Sequence, residues 1–165
     1  MPRTLYLLRH AKSSWKDSSL RDFDRPLKSR GRDAAKQIGN RLADEKRQPE
    51  LVVCSPAVRA RETAEIVLKH SKLKVDITFD KRIYEASLRV LLQVVSDIPD
   101  GKQVAMMIGH NPGFEELVAF LSGEHRHMPT CGLAKIRLDI ASWKDMRAGE
   151  GTLEWFITPK ELAED

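Results

Sequence analysis

An α/β fold is predicted for this chain: a three-layer α/β/α sandwich with a mostly parallel central sheet. Three observations predict it. Apolar runs of strand length recur: Leu5-Tyr6-Leu7-Leu8, Leu51-Val52-Val53-Cys54 and Val104-Ala105-Met106-Met107-Ile108. Between them lie longer stretches whose apolar residues follow the helical period. Strands separated by helices imply parallel crossovers with helices on both faces of the sheet.

The first strand spans residues 4–9 and ends in Arg9-His10-Ala11. Ala11 to Pro26 is polar and rich in Ser, Asp and Arg, which predicts a loop long enough to be functional. Leu27 to Gly31 opens a helix running to about Lys46. Ala34, Ala35, Ile38, Leu42 and Ala43 form its apolar face, and Ser29 is placed to cap it. Pro49 ends that stretch, and residues 51–54 form the second strand.

Ser55-Pro56 then predicts an immediate helix start, with Ser as N-cap and Pro at the first position. That helix carries Ala57, Ala60, Ala64, Val67 and Leu68 to about His70. Alternation over Val75 to Phe79 predicts a third strand, and Ser87 to about Ser96 a helix. Pro99-Asp100-Gly101 is a turn. The fourth strand, 103–109, ends in Gly109-His110-Asn111-Pro112, and a helix follows over Pro112 to Ser122. Residues 133–140 and 152–158 make a closing pair of strands around the turn region 141–151. Lys160 to Asp165 is expected to fray.

The 165 residues hold 41% hydrophobic and 32% charged residues, as an ordinary globular chain does. With no repeats or linkers, residues 1–165 read as a single domain. No run approaches a membrane span, and the N-terminus lacks the pattern of a signal peptide, so a cytoplasmic location is expected. Cys54 and Cys131 give neither metal spacing nor a disulfide framework. Net charge is +4. The basic residues are dispersed among acids and form no nucleic-acid motif, so a nucleic-acid partner is not expected.

In open α/β sheets ligands bind beyond the carboxyl ends of the strands. Strand one brings Arg9 and His10 to that edge, strand two Ser55 and then Arg59, and strand four His110. Guanidinium forks match phosphate oxygens bidentately, and helix N-termini add backbone donors. No acid cluster accompanies the histidines, and two histidines alone make a poor zinc site, so no metal or cofactor is expected. Here the cations would neutralise the phosphoryl oxygens. Neutral imidazole can then act as a nucleophile, provided its other nitrogen holds the proton. His70, His125 and His127 lack such a setting, and Arg61, two residues beyond Arg59, is expected at the surface. Lys12 and Trp15 receive no role.

Leu8-Arg9-His10-Ala11 resembles the RHG signature of the histidine phosphatase superfamily, whose fold is phosphoglycerate mutase-like. Ser55 to Ala64 resembles its S-x-x-x-R-A-x-x-T-A element, and Gly109-His110-Asn111-Pro112 its late G-H motif. Asp24-Arg25-Pro26-Leu27 followed by Gly31, and Met128 to Ala134, resemble the small SixA-type phosphohistidine phosphatases. The likeness spans about residues 4–159. It implies His10 as the nucleophile that becomes phosphohistidine, Arg9 and Arg59 as the phosphate clamp, and His110 as a donor to the phosphoryl oxygens. It also implies Arg25 as a loop-borne phosphate contact. Larger members place a carboxylic acid after the third strand, which makes Glu85 the candidate proton donor. A phosphoramidate leaves easily once its nitrogen is protonated, whereas an alkyl ester needs such a donor.

The expected activity is therefore metal-independent hydrolysis through phospho-His10. The expected partner is a phosphorylated protein bearing phosphohistidine, or a small phosphorylated substrate. A small-molecule phosphomonoesterase or mutase, and a non-catalytic phosphate-binding module, are the alternatives.

Overall fold

The computed structural model describes residues 2–163. Six strands form one sheet: β1 (Arg3–Arg9), β2 (Leu51–Cys54), β3 (Ile77–Phe79), β4 (Val104–Gly109), β5 (Leu133–Leu138) and β6 (Gly151–Ile157). Their order is β3-β2-β4-β1-β5-β6. The first four in that order are mutually parallel, while β5 runs antiparallel to β1 and β6 antiparallel to β5.

Strand alternation divides the core in two. Leu5, Leu7, Ala105 and Met107 face one side. There they meet α3 (Leu88–Ser96) and α4 (Gly113–Ser122) through Leu91, Val95, Phe114 and Leu117. Tyr6, Leu8, Met106 and Ile108 face the other side. They pack on α1 (Ser29–Ala43) and α2 (Val58–Ser71) through Ile38, Leu42, Ala60 and Val67. The predicted three-layer α/β/α architecture is what the chain adopts. Among the described residues no helix is long and apolar enough to cross a membrane.

Register sets the functional edge. Leu8 pairs with Ile108 and Arg9 with Gly109. His10 and His110 therefore leave neighbouring strands at the same level, and the His10 N–H donates to the Gly109 carbonyl at 3.0 Å. Cys54 also pairs with Ile108, which brings Ser55 to that level. A Cβ on Gly109 would stand 2.7 Å from both Ile83 Cγ2 and Phe114 Cζ. Glycine here lets the turn before His110 settle onto the core.

Several boundaries differ from expectation. Helix α1 stops at Ala43, and Ser29 lies in its first turn; Lys28 holds the N-cap position without a side-chain bond. The Lys28 N–H instead donates to the Lys12 carbonyl at 3.1 Å, tying the helix start to the segment after β1. Helix α2 begins at Val58 with Ala57 at its N-cap position. Ser55 stands two residues before that cap, where its hydroxyl accepts from the Ala57 N–H at 3.2 Å and also lies 2.8 Å from His110 Nε2. Strand β3 is shorter than 75–79, since β2 offers it only Val52 to Cys54. The tail expected to fray forms α5 (Pro159–Ala163), anchored by Leu162 against the α1 side of the core. Glu164 and Asp165 lie outside the described residues.

Candidate active site

The carboxyl edge of the sheet opens into a cavity of about 300 Å³ lined by Arg9, His10, Arg25, Arg59 and His110. Lys12, Ser13, Trp15, Asn111 and Thr130 complete the wall. A larger groove of about 660 Å³ lies along α4, lined by Leu88, Phe120, Glu115 and His125 among others. Its one guanidinium, Arg126, and the imidazoles of His125 and His127 share the lining with the carboxylates Glu115 and Glu116, whereas three guanidiniums and two imidazoles line the smaller cavity with no carboxylate, which makes the smaller cavity the candidate site.

His10 is 7% exposed. Its Nδ1 lies 2.7 Å from the Ala11 carbonyl oxygen. A carbonyl only accepts, so Nδ1 carries the proton and Nε2 presents its lone pair. Burial, and then the nearby Arg59, Arg9 and Arg25 charges, lower the His10 pKa to about 4. The ring is consequently neutral at neutral pH and held in one orientation, with the Nε2 lone pair free. Two contacts hold the segment. The Ala11 N–H donates to Thr63 Oγ1 at 2.9 Å, and the Cys131 N–H lies 3.0 and 2.9 Å from the Arg9 and His10 carbonyls. Cys131 adopts a positive φ of 62° to do this.

The His110 ring stands 5.1 Å from that of His10, centroid to centroid. Its Nε2 is 2.8 Å from Ser55 Oγ, while its buried Nδ1 has no partner. Burial and the neighbouring His10 and Arg59 lower its pKa to about 3. Ser55 is thus a positioning residue, also accepting from the Ala57 N–H at 3.2 Å.

Three arginines converge by different routes. Arg9 donates from Nη1 to the Met128 carbonyl at 2.9 Å. Arg59, 6% exposed, donates to the Asp22 carbonyl at 2.7 Å and to Asp22 Oδ2 at 2.9 Å. Arg25, also 6% exposed, donates to Ser13 Oγ at 2.8 Å and to Asp22 Oδ1 at 3.2 Å. The buried Nε atoms of Arg9 and Arg59 have no hydrogen-bond partner. Buried donors left unpaired are costly. Together with the free Nδ1 of His110 they fit an incoming oxyanion.

Asp22 was not singled out from the sequence. Its carboxylate accepts from Tyr84 Oη at 2.6 Å as well as from both arginines. The Tyr84 bond, then Arg59 and Arg25, hold its pKa at about 2 against the opposing effect of burial. Tyr84 in turn meets His110 edge-on at 5.5 Å. Glu85, the expected proton donor, is exposed, sits at a φ of 55° and is outside the cavity lining. The cavity lining brings together the other five, Arg9, His10, Arg25, Arg59 and His110, without it. Arg61 is exposed, as expected.

A family model described as "Histidine phosphatase superfamily (branch 1)" matches residues 5–97, more than half of the chain. This chain belongs to the histidine phosphatase superfamily. The match contains His10, Arg25, Arg59 and Glu85 and ends before His110. An uncharacterised chloroplastic protein of Arabidopsis thaliana is 35% identical to this histidine phosphatase superfamily member, over 93% of this chain and 74% of that protein. The SixA-type chain from Agrobacterium tumefaciens superposes with a TM-score of 0.83 at 30% identity, covering 96% of this chain and 99% of that one. The protein histidine phosphatase SixA complexed with tungstate also gives 0.83, at 25% identity and the same coverage. A phosphoglycerate mutase from Bacillus anthracis shares the fold at 17% identity, with a TM-score of 0.74 over 99% of this chain and 96% of that one.

Proposed function

We propose that this superfamily member is a metal-independent phosphatase that hydrolyses phosphohistidine on a protein through a phospho-His10 intermediate. The observation that carries the proposal is the tautomer of His10. Nδ1–H is committed to the Ala11 carbonyl, and Nε2 is left free among three guanidiniums.

In the first half-reaction His10 Nε2 attacks phosphorus, and the P–N bond to the substrate imidazole breaks. That imidazole, protonated from solvent on its distal nitrogen, leaves neutral. Arg9, Arg25 and Arg59 spread the phosphoryl charge, and His110 Nδ1–H donates to an equatorial oxygen once Ser55 O–H donates to its Nε2. Preorganised donors of this kind are worth about 2.7–4 kcal/mol each when they meet charge that grows in the transition state. In the second half-reaction water attacks phospho-His10, releases inorganic phosphate and restores the ring. A P–N bond needs no strong acid at the leaving group, which agrees with the placement of Glu85 away from the cavity. The similarity to SixA chains, one of them named a protein histidine phosphatase and bound to the oxyanion tungstate, supports the same substrate class.

The test is a substrate panel: a phosphohistidine peptide, a sugar phosphate and a nucleoside monophosphate, each with wild type and His10→Ala and each with and without EDTA. The proposal predicts turnover of the peptide above the other two, insensitivity to EDTA and loss of activity in the variant. Preference for the sugar phosphate or nucleotide overturns the substrate assignment, and full activity of His10→Ala overturns the mechanism.

A further inference from the structure

Trp15 is 75% exposed, and the other large hydrophobic side chains exposed among the described residues, Leu20 and Phe79, are not on the cavity wall. Trp15 lines the same cavity as His10. Its indole has one face covered: the Arg25 guanidinium carbon lies 3.4 Å from the ring centroid. Arg25 is fixed from behind by Ser13 Oγ and Asp22. The indole is therefore held by a cation on one side and open on the other. A single exposed apolar side chain is ordinary, but this one lines the cavity that holds His10, and that position calls for a reason.

In-line displacement supplies one. The leaving group must stand on the side of phosphorus opposite the nucleophile. His10 is buried and Trp15 exposed on the wall of one cavity, so a leaving group directed away from His10 towards solvent has the indole within the same cavity. A flat ring passing there meets a flat aromatic face.

We infer that the free face of Trp15 is the subsite for the leaving group, and that it selects planar rings, the imidazole of phosphohistidine foremost. This deepens the proposed function and rests on it for the identity of the ring. In the displacement described above Trp15 takes no part in bond making or breaking. It holds the departing imidazole stacked parallel to the indole face while the nitrogen accepts the P–N electron pair. The Arg25–Trp15 stack joins two tasks: the guanidinium serves the phosphoryl group and the indole serves what departs from it.

Two pairs of substrates separate this role from simple support of Arg25. Phosphohistidine peptide and phosphoramidate share a P–N bond, but only the first has a ring. Phenyl phosphate and glycerol phosphate share a P–O bond in the same way. Stacking between aromatic rings contributes enough that Trp15→Ala should lower kcat/KM for the ring-bearing member by about three- to tenfold relative to its partner. The loss should fall mainly on KM, and Trp15→Phe should recover most of it. Equal losses on both members of each pair, or none on either, overturn the inference and leave the phosphatase mechanism standing. If wild type ignores phosphohistidine yet loses its preference for phenyl phosphate in Trp15→Ala, the subsite stands and the phosphohistidine assignment falls. Persistence of activity in His10→Ala overturns the mechanism whatever Trp15 does.

Discussion

The cavity joins two regions of unlike construction. One is the carboxyl edge of the sheet, where Arg9, His10, Ser55 and His110 follow directly from buried strands and the backbone of each is tied to its neighbour. The other is the segment from Ser13 to Pro26, which has no strand or α-helix of its own, only a short 3-10 turn over Asp22–Asp24 and a single bridge from Ser13 to Leu27. It delivers Ser13, Trp15, Asp22 and Arg25. The strand edge fixes His10, the proposed nucleophile, by backbone register. The loop has a few backbone bonds of its own, such as Ser14 N–H to the Pro26 carbonyl, and fixes its functional residues mainly through side-chain contacts, with Asp22 as the knot. In the proposed mechanism, then, the reacting atom stands on a region fixed by strand pairing, while Arg25 and Trp15 stand on one held mainly by side-chain contacts. Arg59 bridges the two, rooted in α2 and bound to the Asp22 carbonyl and carboxylate.

The comparison makes graded predictions. Removal of the nucleophile acts on the strand edge and should be the most severe: His10→Ala is expected to lower kcat by about four orders of magnitude or more, as losses of nucleophiles do elsewhere. Arg59→Ala removes the bridging clamp and should lower kcat/KM by about 10²–10³-fold. The loop should tolerate more. Asp22→Asn leaves Arg59 bound to the Asp22 carbonyl and frees only the carboxylate contacts, so a loss of about tenfold is expected from the weaker hydrogen bonds. A loss for Asp22→Asn as large as for Arg59→Ala would erase the distinction between the regions.

Stability sharpens the comparison further. Gly109→Ala forces a methyl group against Ile83 and Phe114, which should cost about 1–3 kcal/mol in denaturant unfolding. The same change at Gly101, where nothing lies within 4 Å of the added carbon, should be close to neutral.

The pH dependence follows from the lowered pKa values of the two histidines, about 4 for His10 and about 3 for His110. The unfolded chain, with ordinary histidines near 6.5, binds more protons than the folded one as pH falls below that value. The stability tied to the neutral rings is whole above about pH 6.5 and is lost as pH falls through about 4 for His10 and about 3 for His110. In NMR titration of the free protein the His10 ring carbons should remain in the neutral form down to about pH 4, below the ordinary histidine value of about 6.5. A midpoint near 6.5 for His10 would contradict the buried, cation-ringed setting.

The two regions also differ in how much the sequence disclosed. The strand edge was legible because burial and period mark the strands, and because Arg9-His10 and Gly109-His110 stand where each apolar run stops. The order of layers followed from the same alternation. The loop was not legible in this way. It has no period, and the contacts that give Asp22 its role reach Arg59 and Tyr84, 37 and 62 residues away. Ser55 was read as a helix cap from local spacing, yet the partner that claims its hydroxyl is His110, 55 residues on. Glu85 was placed by likeness to larger proteins, and the left-handed turn at that residue is not visible in residue types. Trp15 stood without a role because its neighbour on the stack, Arg25, becomes a neighbour only when the loop closes on itself.

The most direct test of the central claim, that neutral His10 accepts the phosphoryl group, is rapid-quench trapping with a ³²P-labelled substrate followed by peptide mapping. The account predicts an acid-labile, base-stable label on the peptide that contains His10, appearing within a single turnover and absent from His10→Ala. Steady turnover with no label on that peptide, or with a label on any other residue, would contradict it.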